Sequence, residues 1–239
     1  MISPKLYKSS RTYDFFIKKL GYERSIDRFL QQLTLPNIQN ARILDAGCGT
    51  GLLGLHFLQR FEGSTLQATD LERNFLDALQ VNADRRGIAQ NRITTGVADI
   101  SSPKRVTTLN GDEQILNDGS FDLICVGAVV GYASDTASSL QSLVDLLAVG
   151  GYLINIEMNE SPAGKFVSNR YHYANIPISR MQQVIRDCGC EVTTTKFSLR
   201  HLPAKFTRTA IVAHKIRSCL LYTSPSPRDR TRSRMPSSA

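Results

Sequence analysis

The chain has 239 residues, is 41% hydrophobic and 21% charged, and carries 29 Lys and Arg against 21 Asp and Glu, a net charge of +8. That length supports one sizeable core, no apolar run approaches the roughly 18 residues of a membrane span, and residues 1–16 lack the continuous apolar segment of a secretory leader. A cytoplasmic protein without a membrane partner is expected.

In chain order, residues 11–33 read as helix, broken near Gly21. Ile26, Phe29, Leu30 and Leu33 recur at helical spacing. Pro36 and Asn37 close this region, so residues 1–40 form an N-terminal helical cap and 41–218 the main domain. "ARILDAG" (41–47) is a short buried strand, followed by a helix over 52–61. "STLQATD" is a second strand ending at Asp70. The helix over 72–86 puts Phe75, Leu76, Leu79 and Ala83 on one face and stops at Gly87. "NRITTGVAD" is the third strand and "FDLICVGAVV" the fourth. A helix over 135–148 follows, capped by Ser134 or Asp135. "GGYLINIEM" is the fifth strand. Residues 159–176 are polar and aromatic without clear periodicity. A helix over 179–188 leads to two late strands, "CEVTTTKFSL" and "FTRTAIVAHK". Strands alternating with helices predict an α/β fold: a Rossmann-like, mainly parallel seven-stranded sheet with helices on both faces. The last two strands have no helix between them, so the last one should run antiparallel.

Chemistry concentrates in "ILDAGCGTGLLG" (43–54), where an apolar strand runs into four glycines within eight positions. Glycine tolerates positive φ and lets a ligand touch backbone, and in such a sheet ligands gather at the carboxyl ends of the strands. Gly49, Gly51 and Gly54 satisfy the dinucleotide pattern G-x-G-x-x-G, a weak signal on its own.

The order of acids separates the possibilities. Asp45 precedes Gly47, Gly49 and Gly51, Asp70 ends the second strand, and Asp99 follows the third. Phe121-Asp122-Leu123-Ile124 opens the fourth strand, and "LLAVGGYLI" (146–154) leads into the fifth. This set resembles class I S-adenosylmethionine-dependent methyltransferases of the small-molecule type, although Val149 stands where the family has proline. The resemblance implies S-adenosylmethionine as cofactor, with Asp70 accepting from both ribose hydroxyls and Asp99 from the adenine amino group. It also implies backbone contact at Gly47, Cys48, Gly49 and Gly51, adenine packing at Leu71 and Ile100, and Gly127 beside the methionine part. A sulfonium is positive and brings no pyrophosphate, so acids around the loop are welcome. A pyrophosphate wants the helix N-terminus free of them.

The acceptor side is less defined. Gly131 and Tyr132 replace two histidines of the family pattern, and "NRYHYANIP" (169–177) falls where relatives often cover the acceptor. Tyr132 and His172 are the candidate catalytic residues, and Tyr132, His172, Tyr7 and Tyr13 the candidate substrate pocket. For Tyr132 an aromatic pocket wall is the favoured role, because a phenol with a pKa of about 10 is a poor base. The function implied is methyl transfer to a small-molecule acceptor by in-line displacement. The alternatives are an RNA or protein methyltransferase, or a non-catalytic cofactor-binding protein of the same fold. No metal-ligand constellation is visible, and no C-x-x-C links Cys48, Cys125, Cys188 and Cys190.

Residues 219–239, "CLLYTSPSPRDRTRSRMPSSA", resemble the in-frame translation of a sequencing adapter and are expected to be a non-native, disordered tail. They hold four arginines and one aspartate, so the rest of the chain carries only +5. That excess is too small to point to nucleic acid.

Overall fold

A computed structural model describes residues 21–36 and 38–218. Tyr7, Tyr13, the expected helix over 11–20 and the tail at 219–239 lie outside the described residues.

The parallel body of the sheet starts with β1 (Arg42–Ala46) and β2 (Thr65–Asp70), which pair side by side. β3 (Ile93–Val97) continues outward from β2. The chain then returns to the other side of β1 with β6 (Phe121–Gly127), which in turn pairs with β7 (Leu147–Met158). This reversal around β1 opens a crevice at the carboxyl ends of β1 and β6. β8 (Cys190–Lys196) and β9 (Arg208–Lys215) close the far edge, and β9 runs antiparallel to both β7 and β8. The antiparallel last strand is therefore as expected.

Two strands come in addition to the expected seven. β4 (Arg105–Thr108) and β5 (Glu113–Ile115) add an antiparallel hairpin beyond β3, giving the order β5-β4-β3-β2-β1-β6-β7-β9-β8. They are four and three residues long, and β5 is exposed throughout. Such a strand has no apolar alternation to read.

Helices cover both faces. α1 (Tyr22–Gln32), α2 (Leu52–Arg60) and α3 (Arg73–Arg85) pack Phe29, Leu30, Leu55, Leu58, Leu76 and Leu79 into one core layer. α4 (Thr136–Leu146) packs Leu140, Leu143 and Val144 into the other. α5 (Pro162–Arg170) follows β7, and α6 (Ile178–Asp187) adds Met181 and Ile185 to the layer of α4. α5 is absent from the periodicity because its buried residues are only Gly164 and Ser168. Its signal is local instead: Ser161 caps the Gly164 N–H at 3.0 Å and Pro162 starts the helix.

β6 is shorter than the expected 121–130. Ala128 turns the chain at φ +51, and a 3-10 turn follows over Val130–Tyr132. At the amino end of the sheet, Arg42 grips Asp122 through two guanidinium bonds of 2.9 and 3.0 Å and its own backbone N–H at 2.9 Å. That pairing holds the Asp122 carboxyl below its usual range and keeps Asp122 away from the crevice.

Candidate functional site

The glycine loop turns because its neighbours leave no alternative. Gly47 sits at φ +68, and a Cβ there would lie 2.5 Å from Val129 Cγ2. Its carbonyl-side neighbour Cys48 ties the loop to β2 through a 2.9 Å bond from its N–H to the Thr69 carbonyl. Gly54, in the first turn of α2, has room only for hydrogen: a Cβ would meet Asp45 Oδ2 at 2.7 Å.

Asp45 is buried and accepts the Gly54 N–H at 2.8 Å. Burial pushes its pKa up to about 7, against the opposing pull of that hydrogen bond. Asp70 laces the loop from the other side. Its Oδ2 accepts the Gly49 N–H at 2.8 Å and its Oδ1 the Glu72 N–H at 3.0 Å. Its pKa is also raised, chiefly by burial. Each of these oxygens has a second lone pair to offer. Asp99 lies one strand further out, where its Oδ1 accepts the Ser101 N–H at 2.7 Å. The Ala98 N–H donates to the Asp70 carbonyl at 3.1 Å, joining these two strand ends.

Above β1 and β6 lies a cleft of about 630 Å³, counting its space open to solvent. Asp45, Gly47, Cys48, Gly49 and Gly127 line it, with Tyr22, Ile156 and Arg208 among the other wall residues. Asp70 adjoins the cleft through Gly49, while Leu71, Asp99 and Ile100 lie outside its lining. Leu71 is 56% exposed beside Asp70, an apolar side chain open to a partner, whereas Ile100 is buried in the core. The Cys48 thiol is pushed far above its usual pKa by burial and the nearby Asp70 and Asp45, so it stays neutral.

A family model described as a methyltransferase domain matches residues 44–153, from β1 into β7. Malonyl-[acyl-carrier protein] O-methyltransferase of Magnetococcus marinus is 24% identical over 144 residues, 60% of this chain and 48% of that protein. Ubiquinone biosynthesis O-methyltransferase of Xanthomonas euvesicatoria pv. vesicatoria is 24% identical over 130 residues, 54% of this chain and 48% of that one. The chain thus spans about half the length of these curated relatives. Among solved structures, the complex between the Haloferax volcanii Trm112 methyltransferase activator and a methyltransferase matches with a TM-score of 0.64. The identity there is 13%, with 91% of this chain and 100% of that chain covered.

Residues 44–153 are thus similar to a methyltransferase domain, and the fold is the Rossmann-like fold of S-adenosylmethionine-dependent methyltransferases. S-adenosylmethionine is the cofactor these findings support, and the cradle fits it. The Gly47, Gly49 and Gly51 backbone is bare, carboxylates stand at three strand ends, and the N-terminus of α2 faces the acids that a pyrophosphate would avoid.

The two candidate catalytic residues sit apart from the cleft lining. Tyr132 is half-buried, stands edge-on to Tyr173 with ring centres 5.0 Å apart, and donates from its hydroxyl to the Tyr171 carbonyl at 3.4 Å. His172 is exposed at φ +53, in a segment where Tyr171 and Tyr173 take the inward positions. That segment is held by Tyr173, which donates to buried Glu157 and accepts the Gly131 N–H at 3.0 Å. The Ala174 N–H adds a bond to the Gly131 carbonyl at 3.2 Å. Gly131 is required here, because a Cβ would lie 2.4 Å from the Tyr173 ring.

Sequence reasoning missed Glu157, Tyr173, Tyr22 and Arg208. Glu157 had a signal: a carboxyl inside the apolar run "YLINIEM" needs a partner. Burial raises its pKa to about 7, and burial with the nearby Glu157 charge drives Tyr173 far above the usual phenol value. Arg208 had none, since a polar residue opening a strand is ordinary.

Proposed function

We propose that the protein transfers a methyl group from S-adenosylmethionine to a small-molecule acceptor by in-line displacement. The observation that carries this reading is Asp70, whose two carboxylate oxygens fasten the glycine loop and still offer acceptors at the strand end. In this reading the ribose hydroxyls take those remaining lone pairs, Asp99 receives the adenine amino group, and exposed Leu71 covers the adenine face. Gly47, Cys48 and Gly49 give backbone contact, Gly51 lets the chain enter α2, and Asp45 and Gly127 flank the amino-acid end.

S-adenosylmethionine brings a methyl group already activated by the sulfonium charge. The protein's part is then alignment and exclusion of water. The turn over Val130–Tyr132 and the strap at 171–175 are fastened to each other by Tyr173, Gly131 and Ala174. Fixed together, they form one wall for the acceptor, with Tyr132 as an aromatic surface of that wall. In this reading exposed His172, on the same strap, takes the proton from an acceptor group that must lose one.

A small acceptor is supported by the relatives, whose names place them in acyl-carrier malonyl and ubiquinone chemistry. The test is release of S-adenosylhomocysteine across a panel of free carboxylates, acyl thioesters, quinols and amines, with bulk tRNA and denatured protein alongside. Turnover on a small acceptor is expected. Turnover on RNA or protein alone would replace this reading, and cofactor binding with no turnover on the whole panel would favour a non-catalytic protein.

A further inference from the structure

The wall of the cleft holds one cation among the described residues, Arg208. It opens β9 directly opposite Met158 of β7, and its guanidinium lies against the Met158 thioether. The neighbouring acid offers no direct match. Glu157 points to the opposite face of the sheet, where Tyr173 engages it. Among the described residues, no carboxylate comes within ion-pair distance of Arg208. The Glu157 charge reaches Arg208 only at a distance through the sheet, so the half-buried guanidinium in the cleft wall keeps donors for a ligand carboxylate to complete.

The rest of the wall narrows the ligand. Tyr22 also lines the cleft, and its hydroxyl shares a 3.0 Å hydrogen bond with Thr207, the residue before Arg208. Asp45 sits in the same lining and contributes the opposite sign. A guanidinium matches a carboxylate through two parallel N–H bonds. The apolar Ile26, Leu52, Leu53 and Ile156 around it leave no second cation for a polyphosphate.

We propose that Arg208 anchors a carboxylate inside the cleft. That carboxylate has two sources: the amino-acid end of the cofactor, or an acceptor that itself bears a carboxylate. The first source rests on the cofactor reading above; the second does not.

Calorimetry on the full chain separates them, with Arg208→Gln and Arg208→Lys beside the wild type. The probes are S-adenosylhomocysteine and 5′-methylthioadenosine, which keeps the nucleoside and lacks the amino-acid end. Malonate titrated into protein saturated with S-adenosylhomocysteine tests the other source. If the cofactor supplies the carboxylate, Arg208→Gln weakens S-adenosylhomocysteine by about ten- to a hundred-fold and leaves 5′-methylthioadenosine within two-fold, roughly the noise of such a comparison. Arg208→Lys, which keeps the charge without the fork, recovers part of the loss. If the acceptor supplies it, both nucleosides bind the variants normally and malonate binding disappears in Arg208→Gln.

Equal weakening of both nucleosides marks a structural role and overturns the proposal. So does a variant that changes neither the nucleosides nor malonate. A wild-type chain that binds neither nucleoside sinks the cofactor reading instead, and malonate binding to the free protein, lost or kept in Arg208→Gln, then decides the anchor.

Discussion

Asp70 shows how one side chain serves folding and binding together. Its carboxylate accepts two backbone N–H groups, from Gly49 and Glu72, and so fixes where the glycine loop meets the end of β2. The ribose diol assigned to it needs the remaining lone pairs, and only a carboxylate has enough. Asp70→Ala is therefore expected to weaken S-adenosylhomocysteine binding by about 1.5–3 kcal/mol, the range for hydrogen bonds to a charged partner. Asp70→Asn keeps the shape but sets an NH2 group against one of the two N–H donors, so it should not restore binding. Titration calorimetry on both variants checks this, and wild-type affinity in either would remove Asp70 from the ribose site. Gly47 makes a second case. Gly47→Ala must displace Val129 and still hold φ near +68. The double change with Val129→Ala makes space yet keeps the backbone cost of about 1–2 kcal/mol for a left-handed alanine. Urea unfolding should show the double variant more stable than Gly47→Ala and less stable than Val129→Ala.

At the scale of elements, cations close the helix ends. Arg60 donates to the Leu30 and Leu33 carbonyls across the end of α1, and Arg92 to the Leu58 and Phe61 carbonyls across the end of α2. Lys215, buried at the end of β9, donates to the carbonyls of Val144 at 2.7 Å, Asp145 at 3.4 Å and Leu147 at 2.6 Å. It thereby ties the last strand to the join between α4 and β7. Lys215→Met keeps the stem and removes the donor, and is expected to cost about 1–3 kcal/mol in urea unfolding at neutral pH. A change near zero would mean that water satisfies those carbonyls equally well. These long-range caps also explain what the sequence could tell. The parallel strands and α1 to α4 were legible because burial imprints periodicity on them. The glycine loop and its acids were legible because their order is local to three strand ends. α5 and the β4–β5 hairpin were not, because they bury almost nothing and depend on capping and turn bonds. Arg208 and Tyr173 enter the site only through pairings between distant segments, which no window of sequence contains.

Across the whole molecule, the crevice end of the sheet stores ionisable groups in places that water does not reach. Asp45 near the end of β1 and Glu157 near the end of β7, with β6 between the two strands, are each fully buried and each pushed up to about 7 by that burial. In the unfolded chain a glutamic acid titrates near about 4.3. Between that value and about 7 the native state holds a proton that the unfolded state has lost. Stability therefore falls as pH rises through this window and levels off above it. His56 acts in the opposite sense. Its pKa is lowered by burial, so it contributes stability that grows as pH rises towards the unfolded imidazole value. Asp122, held low by Arg42, loses its contribution only at more acidic pH. The raw pH profile mixes these signs, and one substitution isolates a single contribution. Glu157→Gln keeps an acceptor for the Tyr173 hydroxyl and removes the charge that must be buried. Relative to wild type, the variant should gain stability steadily from pH 5 to pH 7.5, by on the order of 1–3 kcal/mol at the upper end, in urea unfolding followed at several pH values. A constant offset between the two proteins across that range would show that Glu157 stays ionised in the native state, with its charge carried by the hydrogen bond from Tyr173.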